Sequence, residues 1–347
     1  MQKYLWLLII NLIKQQSVIY EQYLFCVIEN LRALLKYMFT TVTLNPCIDK
    51  SVTIPEFIYG GTNKIQQVSY EYAGKGINVA KAISNLGFKV ISTGFLYQSE
   101  AENVIKTLSR ENLIFDSIIC PGKLRTNTKI FDISKSITTE LNESGVPTNT
   151  ESLKDLLLKI EELSKTSNII IFSGSVPPNC PDTFYQEAIK LCNPFCKTIL
   201  DTSGEKLIQG IKAKPTIIKP NLSELETAFN IKLDSIDKVK KTAINIINEY
   251  GIEIVCVSMG SQGALITNGK ETFFSPPVEN IVVKGTVCAG DCLVAGIATG
   301  YALNLPIHDI FARGIASATA CVVQGNSQVV TKSLLEEILP KVKIQAV

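Results

Sequence analysis

The sequence predicts an α/β protein: one mainly parallel sheet covered by helices on both faces, with a small β-strand lid beside it. Three observations carry this. Short apolar runs ending in Gly, Ser, Asn or Asp alternate with stretches of helical period, the strand, helix, strand order of parallel sheets. The runs are continuously apolar, as strands buried on both faces are. Two other regions do alternate between apolar and polar residues with no helix between them, as half-exposed strands do.

Taken in order, residues 40–44 (TTVTL) make the first strand, and residues 50–72 (KSVTIPEFIYGGTNKIQQVSYEY) have the lid-like alternation. GINVAKAISNLG (76–87) reads as a helix, KVISTGF (89–95) as a strand and EAENVIKTLSREN (100–112) as a helix. Residues 127–141 (NTKIFDISKSITTEL) supply the second lid segment, and both segments are expected to form antiparallel strands. Helices over 150–165, 181–192 and 233–251 then alternate with strands over 168–174, 197–203, 215–221 and 252–260, and DCLVAGIATGYALN (291–304) reads as a late helix.

At 347 residues and 46% apolar side chains, the chain can close a sizeable core. No repeat or long linker divides it, so one domain with a lid is expected. Thirty-four basic and thirty-two acidic residues leave a net charge of +2 without blocks. That excludes a nucleic-acid footprint or a polybasic membrane patch and points to a small-molecule ligand. The ten cysteines are scattered, several inside apolar runs, the pattern of reduced thiols in a cytoplasmic protein. Cys192/Cys196 and Cys288/Cys292 have no second pair or histidine close by in the chain, so no zinc site is expected. His308 is the single histidine, which leaves catalysis to carboxylates, lysines, backbone amides and a cofactor. Residues 1–37 differ in character. Their apolar stretch YLWLLIINLI is about half of what a bilayer span needs, and no small-residue cleavage site follows it. The functional core is expected over 38–347, with 1–37 a dispensable extension.

Parallel sheets bind ligands beyond the carboxyl ends of their strands, so the polar residues closing each run come first. Asn45 and Asp49 follow the first strand; the carboxylate suits sugar hydroxyls, and Asn-Pro before it is equally ordinary turn chemistry. Gly74 and Gly76 open the 76–87 helix and let a ligand approach its amides, with Asn78 one turn in. Lys64 and Arg125 come from the lid region and suit a phosphorylated sugar, Arg through a planar two-bond grip; the alternative is solvated charge on edge strands. Asn221 can cap a helix starting at Leu222, while Lys219 and Glu224 can face nucleotide phosphates and, through water, a magnesium ion. Ser258, Gly260 and Gly263 leave the next strand either as a tight hairpin or as a backbone site for a nucleotide.

GTVCAGDCLVAG (285–296) sets Asp291 at a helix start beside Ala289 and Gly290, where unpaired N–H groups and about half a positive charge converge. A transferring phosphoryl group would be held there, with Asp291 beside it to accept a hydroxyl proton. The helix start is expected to lower its pKa below the free value of about 3.9. Such a weak base is tolerable in a loose phosphoryl-transfer transition state. A plain N-cap is the alternative.

In this order, TVTLNPCIDKSVTI, GKGINVAKAISNLG, RTNTKI, LNESG, FSGSVPP, KPNLSELE, VSMGSQGAL and AGDCLVAG resemble the ribokinase-like (phosphofructokinase B type) carbohydrate kinases over residues 38–347. Within that family the look is nearest to the 1-phosphofructokinase and tagatose-6-phosphate kinase branches. The resemblance implies a Rossmann-like sheet with a β lid, ATP with Mg2+ as donor, a phosphosugar as acceptor, and a homodimer formed through the lid. By the same resemblance Asp291 is the catalytic base, and Cys288, Ala289 and Gly290 form the anion-hole turn. Asp49, Gly74, Lys75 and Asn78 bind the sugar, with Lys64 and Arg125 at its phosphate. Lys219, Asn221, Glu224, Ser258, Gly260 and Gly263 face the nucleotide or its magnesium ion. Two positions depart from the family: Ala73 and Cys288 stand where glycine is usual. A side chain at 288 costs about 1–2 kcal/mol if the backbone is left-handed, and a thiol at a helix start is expected to have a lowered pKa and to react readily. The resulting reading is phosphorylation of a ketohexose phosphate, fructose 1-phosphate foremost, with tagatose 6-phosphate or fructose 6-phosphate as alternatives. A non-catalytic sugar-phosphate sensor is the rival from another class.

Overall fold

The computed structural model describes residues 38–325 and 328–347; the expectation for residues 1–37 lies outside the described residues. β1 (Met38–Thr43) leads into lid strands β2 (Cys47–Ile54) and β3 (Gln67–Ala73), then into α1 (Lys75–Asn85) and β4 (Lys89–Tyr97). After α2 (Ala101–Leu108), β5 (Leu113–Phe115) and β6 (Ile118–Cys120), the chain re-enters the lid as β7 (Arg125–Asp132) and β8 (Ile137–Asn142). The second half runs α3 (Thr150–Ser164), β9 (Ile169–Ser173), α4 (Phe184–Cys192), β10 (Lys197–Asp201), α5 (Glu205–Ile211), β11 (Ile217–Ile218), α6 (Leu222–Phe229), α7 (Ile236–Tyr250) and β12 (Ile254–Ser258). It closes with β13 (Ala264–Thr267), β14 (Thr272–Ser275), α8 (Ala289–Ala302), α9 (Ile307–Gln324), α10 (Lys332–Ile338) and β15 (Gln345–Ala346).

Among the described residues eleven strands form one sheet, ordered β15-β14-β13-β12-β11-β10-β9-β1-β4-β5, with β6 also paired to β4. From β12 to β5 all neighbours are parallel. Each predicted apolar run is a strand of this block. Phe39, Val42, Ile170, Phe172, Leu200 and Val255 are fully buried, because helices cover both faces. The antiparallel edge formed by β13, β14 and β15 is a structural finding, since strands of four residues or fewer carry too little periodicity to read. It decides for the hairpin over 258–263: β12 turns through Gly260–Gln262 and pairs antiparallel with β13. Likewise α9 was not assigned from sequence, because small residues such as Gly314, Ala316 and Ser317 face its packing surface and blur the apolar period.

The lid is a four-stranded sheet, ordered β3-β2-β7-β8. Antiparallel pairing holds within β2/β3 and β7/β8, but β2 and β7 at the centre run parallel, correcting the expectation. The reason is topological: α1 and β4 to β6 intervene, so β7 leaves the body beside β2 and in the same direction. The lid strands begin earlier and end later than the alternation suggested, and residues 55–66 form a connection with no strand. Strand alternation divides the lid faces. Asp49, Asn127 and Lys129 share one face by register, while Val68, Tyr70, Ile130 and Leu141 share the other.

Candidate active site

The site assembles at the carboxyl ends of β1, β9, β10 and β11. Gly74 precedes α1 with φ 146, and a Cβ there would stand 2.8 Å from Thr43 Cγ2 and 3.3 Å from Pro46 Cα. Only glycine lets this helix start close on the end of β1. The turn places Lys75 and Asn78 above the strand ends, and the buried Asn78 donates through Nδ2 to Asp291 Oδ2 at 2.9 Å. α8 begins at Ala289, and Cys288 before it is left-handed, with φ 64 and ψ 0. Asp291 therefore lies inside the first turn, buried and bonded to another helix, which sets the plain N-cap aside. A Cβ on Gly290 would be 3.7 Å from Lys219 Nζ, so an ammonium group borders the Gly290 amide; the Ala289 amide, expected to be free at the helix start, instead donates to Thr286 O at 3.3 Å.

Burial pushes the Asp291 carboxyl up to about 6; the charge of Asp201 adds to this, while Lys75, Asn78 and Lys219 oppose it. The expectation of a lowered pKa is corrected: desolvation of a fully enclosed carboxylate outweighs the helix start. Asp201, at the end of β10, is completely buried. Lys219 Nζ lies 3.1 Å from its Oδ1, Lys75 Nζ lies 3.6 Å from its Oδ2, and Ser173 Oγ donates to it at 2.9 Å. Burial raises this carboxyl, but the two ammonium groups outweigh burial and hold it below the usual carboxylate range. Asp201 in turn is the main cause holding Lys75 above its ordinary value, against burial and with help from Glu224 and Asp291.

Asn221 caps a helix, as its sequence reading allowed. With Glu224 it forms a capping box at the start of α6, with Asn221 N donating to Glu224 Oε2 and Glu224 N to Asn221 Oδ1, each at 2.8 Å. Glu224 Oε1 remains 3.8 Å from Lys75 Nζ, facing the site. Ser258 N donates to Pro220 O at 3.1 Å, which brings Ser258 beside Asn221. Gly260 and Gly263, with φ 58 and 100, form the hairpin turn next to it.

A cleft of about 230 Å³ is lined by Thr43, Asn45, Lys75, Arg125, Ser175 and Glu224, among others. Arg125 Nε and Nη2 donate to Asn45 O at 3.3 and 3.2 Å, and Nη1 donates to Glu143 O at 2.8 Å and Asn127 Oδ1 at 3.2 Å. Arg125 thus borders the cleft and also staples the lid to the body. Asp49 lies on the inner lid face, paired with Lys129 at 2.6 Å. Lys64 is exposed in the 55–66 connection and does not line the cleft. A larger cavity of about 590 Å³, lined by Ile48, Tyr70, Tyr72, Lys81 and Arg110 among others, contains none of the predicted site residues.

Two site residues escaped assignment from sequence. Asp201 ends the run KTILD, so the rule of polar strand ends covers it; Lys129 is four residues beyond Arg125 on one strand face. Asn45 was picked out by its position after the first strand, but its backbone carbonyl, which holds Arg125, leaves no signal in residue type. Cys288 requires a second correction. Burial, with Asp291 adding, pushes its thiol far above the ordinary range, so the helix start does not activate it. Cys196 is partly exposed, and its hydrogen bond with Cys192 holds it below the ordinary range. Brief alkylation of the native protein, read by mass spectrometry, is expected to mark Cys196 before Cys288; early labelling of Cys288 would restore the reactive-thiol expectation.

An enclosed carboxylate in the first turn of a helix, two lysines around it and a cleft at the strand ends fit a group-transfer enzyme of the sugar-kinase class. The chain belongs to the pfkB family of carbohydrate kinases, whose family model matches residues 42–333. It is 32% identical over 289 residues to a 1-phosphofructokinase of Borreliella burgdorferi, covering 83% of this chain and 93% of that one. A tagatose-6-phosphate kinase of Staphylococcus epidermidis is 34% identical over 275 residues, covering 76% and 85%. Phosphofructokinase-2 from Escherichia coli, solved in complex with potassium, shares the fold with a TM-score of 0.82 at 24% identity, covering 88% of this chain and 98% of that one. The sequence-based expectations of family, fold class and sugar-kinase activity therefore hold.

Proposed function

We propose that this chain transfers the terminal phosphoryl group of ATP, as its Mg2+ complex, to the free primary hydroxyl of fructose 1-phosphate, giving fructose 1,6-bisphosphate. The observation that carries the reading is Asp291: enclosed, held by Asn78 at 2.9 Å and poised at about 6 beside the first turn of α8. MgATP supplies the phosphoryl group. Above pH of about 6 Asp291 is ionised and accepts the acceptor's hydroxyl proton as the phosphorus–oxygen bond forms. Asn78 fixes the carboxylate, and the Gly290 amide with Lys219 holds the charge on the transferring group. Among the described residues no three His, Cys, Asp or Glu side chains gather to hold a metal. That suits Mg2+, which keeps its waters and substrate phosphates and meets a protein through one or two carboxylates. Asp201 is paired with two lysines, so Glu224, through water, is the fitting contact. Lys219, Asn221 and Ser258 would then face the nucleotide, with Gly260 and Gly263 in the turn beside them.

Arg125 at the cleft supports a phosphorylated acceptor, and the relatives named 1-phosphofructokinase favour fructose 1-phosphate. The tagatose-6-phosphate kinase relative favours a second reading, tagatose 6-phosphate, for the same site. Purified protein with MgATP and a panel of free and phosphorylated ketohexoses, followed by ADP release, tests both; turnover with free sugars alone would reject the phosphosugar reading. Arg125→Ala is expected to raise KM for the phosphosugar about 10-fold and to speed amide exchange over residues 143–146, since it removes a phosphate contact and a lid staple together. An equal loss with free and phosphorylated sugars would reject the phosphate contact.

The lid's outer face supports a homodimer: Val68, Tyr70, Ile137 and Leu141 are 44%, 61%, 53% and 57% exposed on one side of the sheet. Such a patch is normally covered. Light scattering is expected to give a dimer, and Leu141→Lys a monomer. Among the described residues no helix is long and apolar enough to cross a membrane. The scattered cysteines inside apolar runs support a cytoplasmic location.

A further inference from the structure

We infer that Lys129, a residue outside the set that the family resemblance supplies, is a positioning residue for sugar binding that acts through Asp49. This rests on the reading of the cleft as a phosphosugar kinase site. Asp49 sits on β2 and Lys129 on β7, two residues further along in register, on the inner lid face. Their side chains are 7% and 12% exposed, with Lys129 Nζ 2.6 Å from Asp49 Oδ2. The other carboxylate oxygen, Oδ1, accepts from the Cys47 thiol at 3.4 Å, an intrinsically weak donor, and lies 3.5 Å from Asn127 Nδ2, at the long limit of such contacts. One oxygen is therefore locked by a charge-assisted bond, while the other is loosely held and available to a stronger donor such as a sugar hydroxyl.

The physical need is clear from burial. A carboxylate enclosed on a small lid sheet is costly unless a charge compensates it, and an acceptor-only carboxylate is what binds hydroxyl donors. The ammonium group supplies that compensation from the neighbouring strand, and the same bond ties the two parallel lid strands whose backbones leave the body side by side. Lys129 itself stays protonated: burial lowers its pKa, but the bond to Asp49 outweighs burial. Asn127 and Arg125 share the strand and face but are engaged more closely elsewhere, Asn127 Nδ2 with Cys47 Sγ at 3.2 Å and Arg125 with backbone carbonyls. Among these groups Lys129 makes the closest contact with Asp49.

Steady-state kinetics of wild type, Lys129→Met, Lys129→Arg, Asp49→Asn and the Asp49→Asn/Lys129→Met double variant test the inference, with melting temperatures measured alongside. Lys129→Met is expected to raise KM for the ketohexose phosphate about 10- to 100-fold, the worth of a hydrogen bond to a charged group. The KM for ATP and kcat are expected to stay within about threefold, and Lys129→Arg to recover most of the loss. The double variant is expected to bind sugar no worse than Asp49→Asn alone, because Lys129 acts through Asp49. Active wild type with an unchanged KM in Lys129→Met, an equal loss in kcat and both KM values, or additive losses in the double variant would each overturn this role while leaving the kinase reading intact. A folded wild type with no turnover on any ketohexose phosphate overturns both. Should Lys129→Met fail to fold, Lys129→Arg together with Asp49→Asn decides: wild-type KM in both overturns the inference.

Discussion

Asp291→Asn is expected to lower kcat by about 10²–10⁴-fold and, at the same time, to stabilise the fold at neutral pH. Both effects come from one geometry. The carboxylate is enclosed, so its folded-state pKa stands at about 6, above the value of about 3.9 of an unfolded chain. Between those values the native state holds more protons than the unfolded state, and stability falls as pH rises through this window. Above it, the ionised side chain is a constant penalty of up to about 3 kcal/mol. Asparagine keeps the size of the side chain and an oxygen for Asn78 but carries no charge to desolvate. Thermal melts are therefore expected to show the variant above wild type at pH 8, with the gap closing toward pH 4. In the wild type, kcat is expected to fall below pH of about 6 with the loss of one proton-accepting group. Near-normal turnover in the variant would remove Asp291 as the base, and a lower melting temperature at pH 8 would show that its carboxylate is not desolvated.

Lys219→Met is expected to cost about 3–5 kcal/mol of stability. Asp201 has a completely buried side chain, and Lys219, 4% exposed, lies 3.1 Å away. Removing the ammonium group leaves a buried carboxylate with only Lys75, at 3.6 Å and 41% exposed, to offset it. In the wild type the depressed Asp201 contributes stability that is present above its unfolded pKa and is lost as pH falls through its folded value. In the variant the sign reverses, because an uncompensated buried acid prefers its proton, so acidification is expected to stabilise it. Denaturant titrations from pH 4 to 8 check this, and the Lys219→Met/Asp201→Asn pair is expected to regain much of the loss. A small loss with an unchanged pH slope would mean that Lys75 alone compensates Asp201.

The parallel core was legible because the strands Ile169–Ser173 and Ile254–Ser258 are continuously apolar up to a closing serine, a pattern set by burial on two faces. Asp291 and Asn78 were legible as helix-start residues, and Asn221 as a cap, because capping depends on neighbours in the chain. The parallel β2/β7 pairing was not legible, since alternation specifies a face but not a partner or a direction. The Asp49–Lys129 bond follows from that pairing and was hidden with it. Arg125 was read as a phosphate ligand or a solvated edge-strand charge, and its role as a staple went unseen because its backbone acceptors at Asn45 and Glu143 leave no trace in side-chain identity.

By itself the sequence determined the parallel block of the sheet, the order of those strands along the chain, the helix starts near Gly74, Asn221 and Asp291, and the family. These depend on side-chain period, turn chemistry and motif spacing, all of which are local. Only the tertiary structure decided how the site is charged. Asp291 meets Asn78 across 213 residues of chain, and Asp201 is enclosed with lysines from α1 and the end of β11. A pKa reports the water and the charges surrounding a group in space, so the basicity of Asp291 and the inertness of Cys288 came into view only once distant segments were packed together.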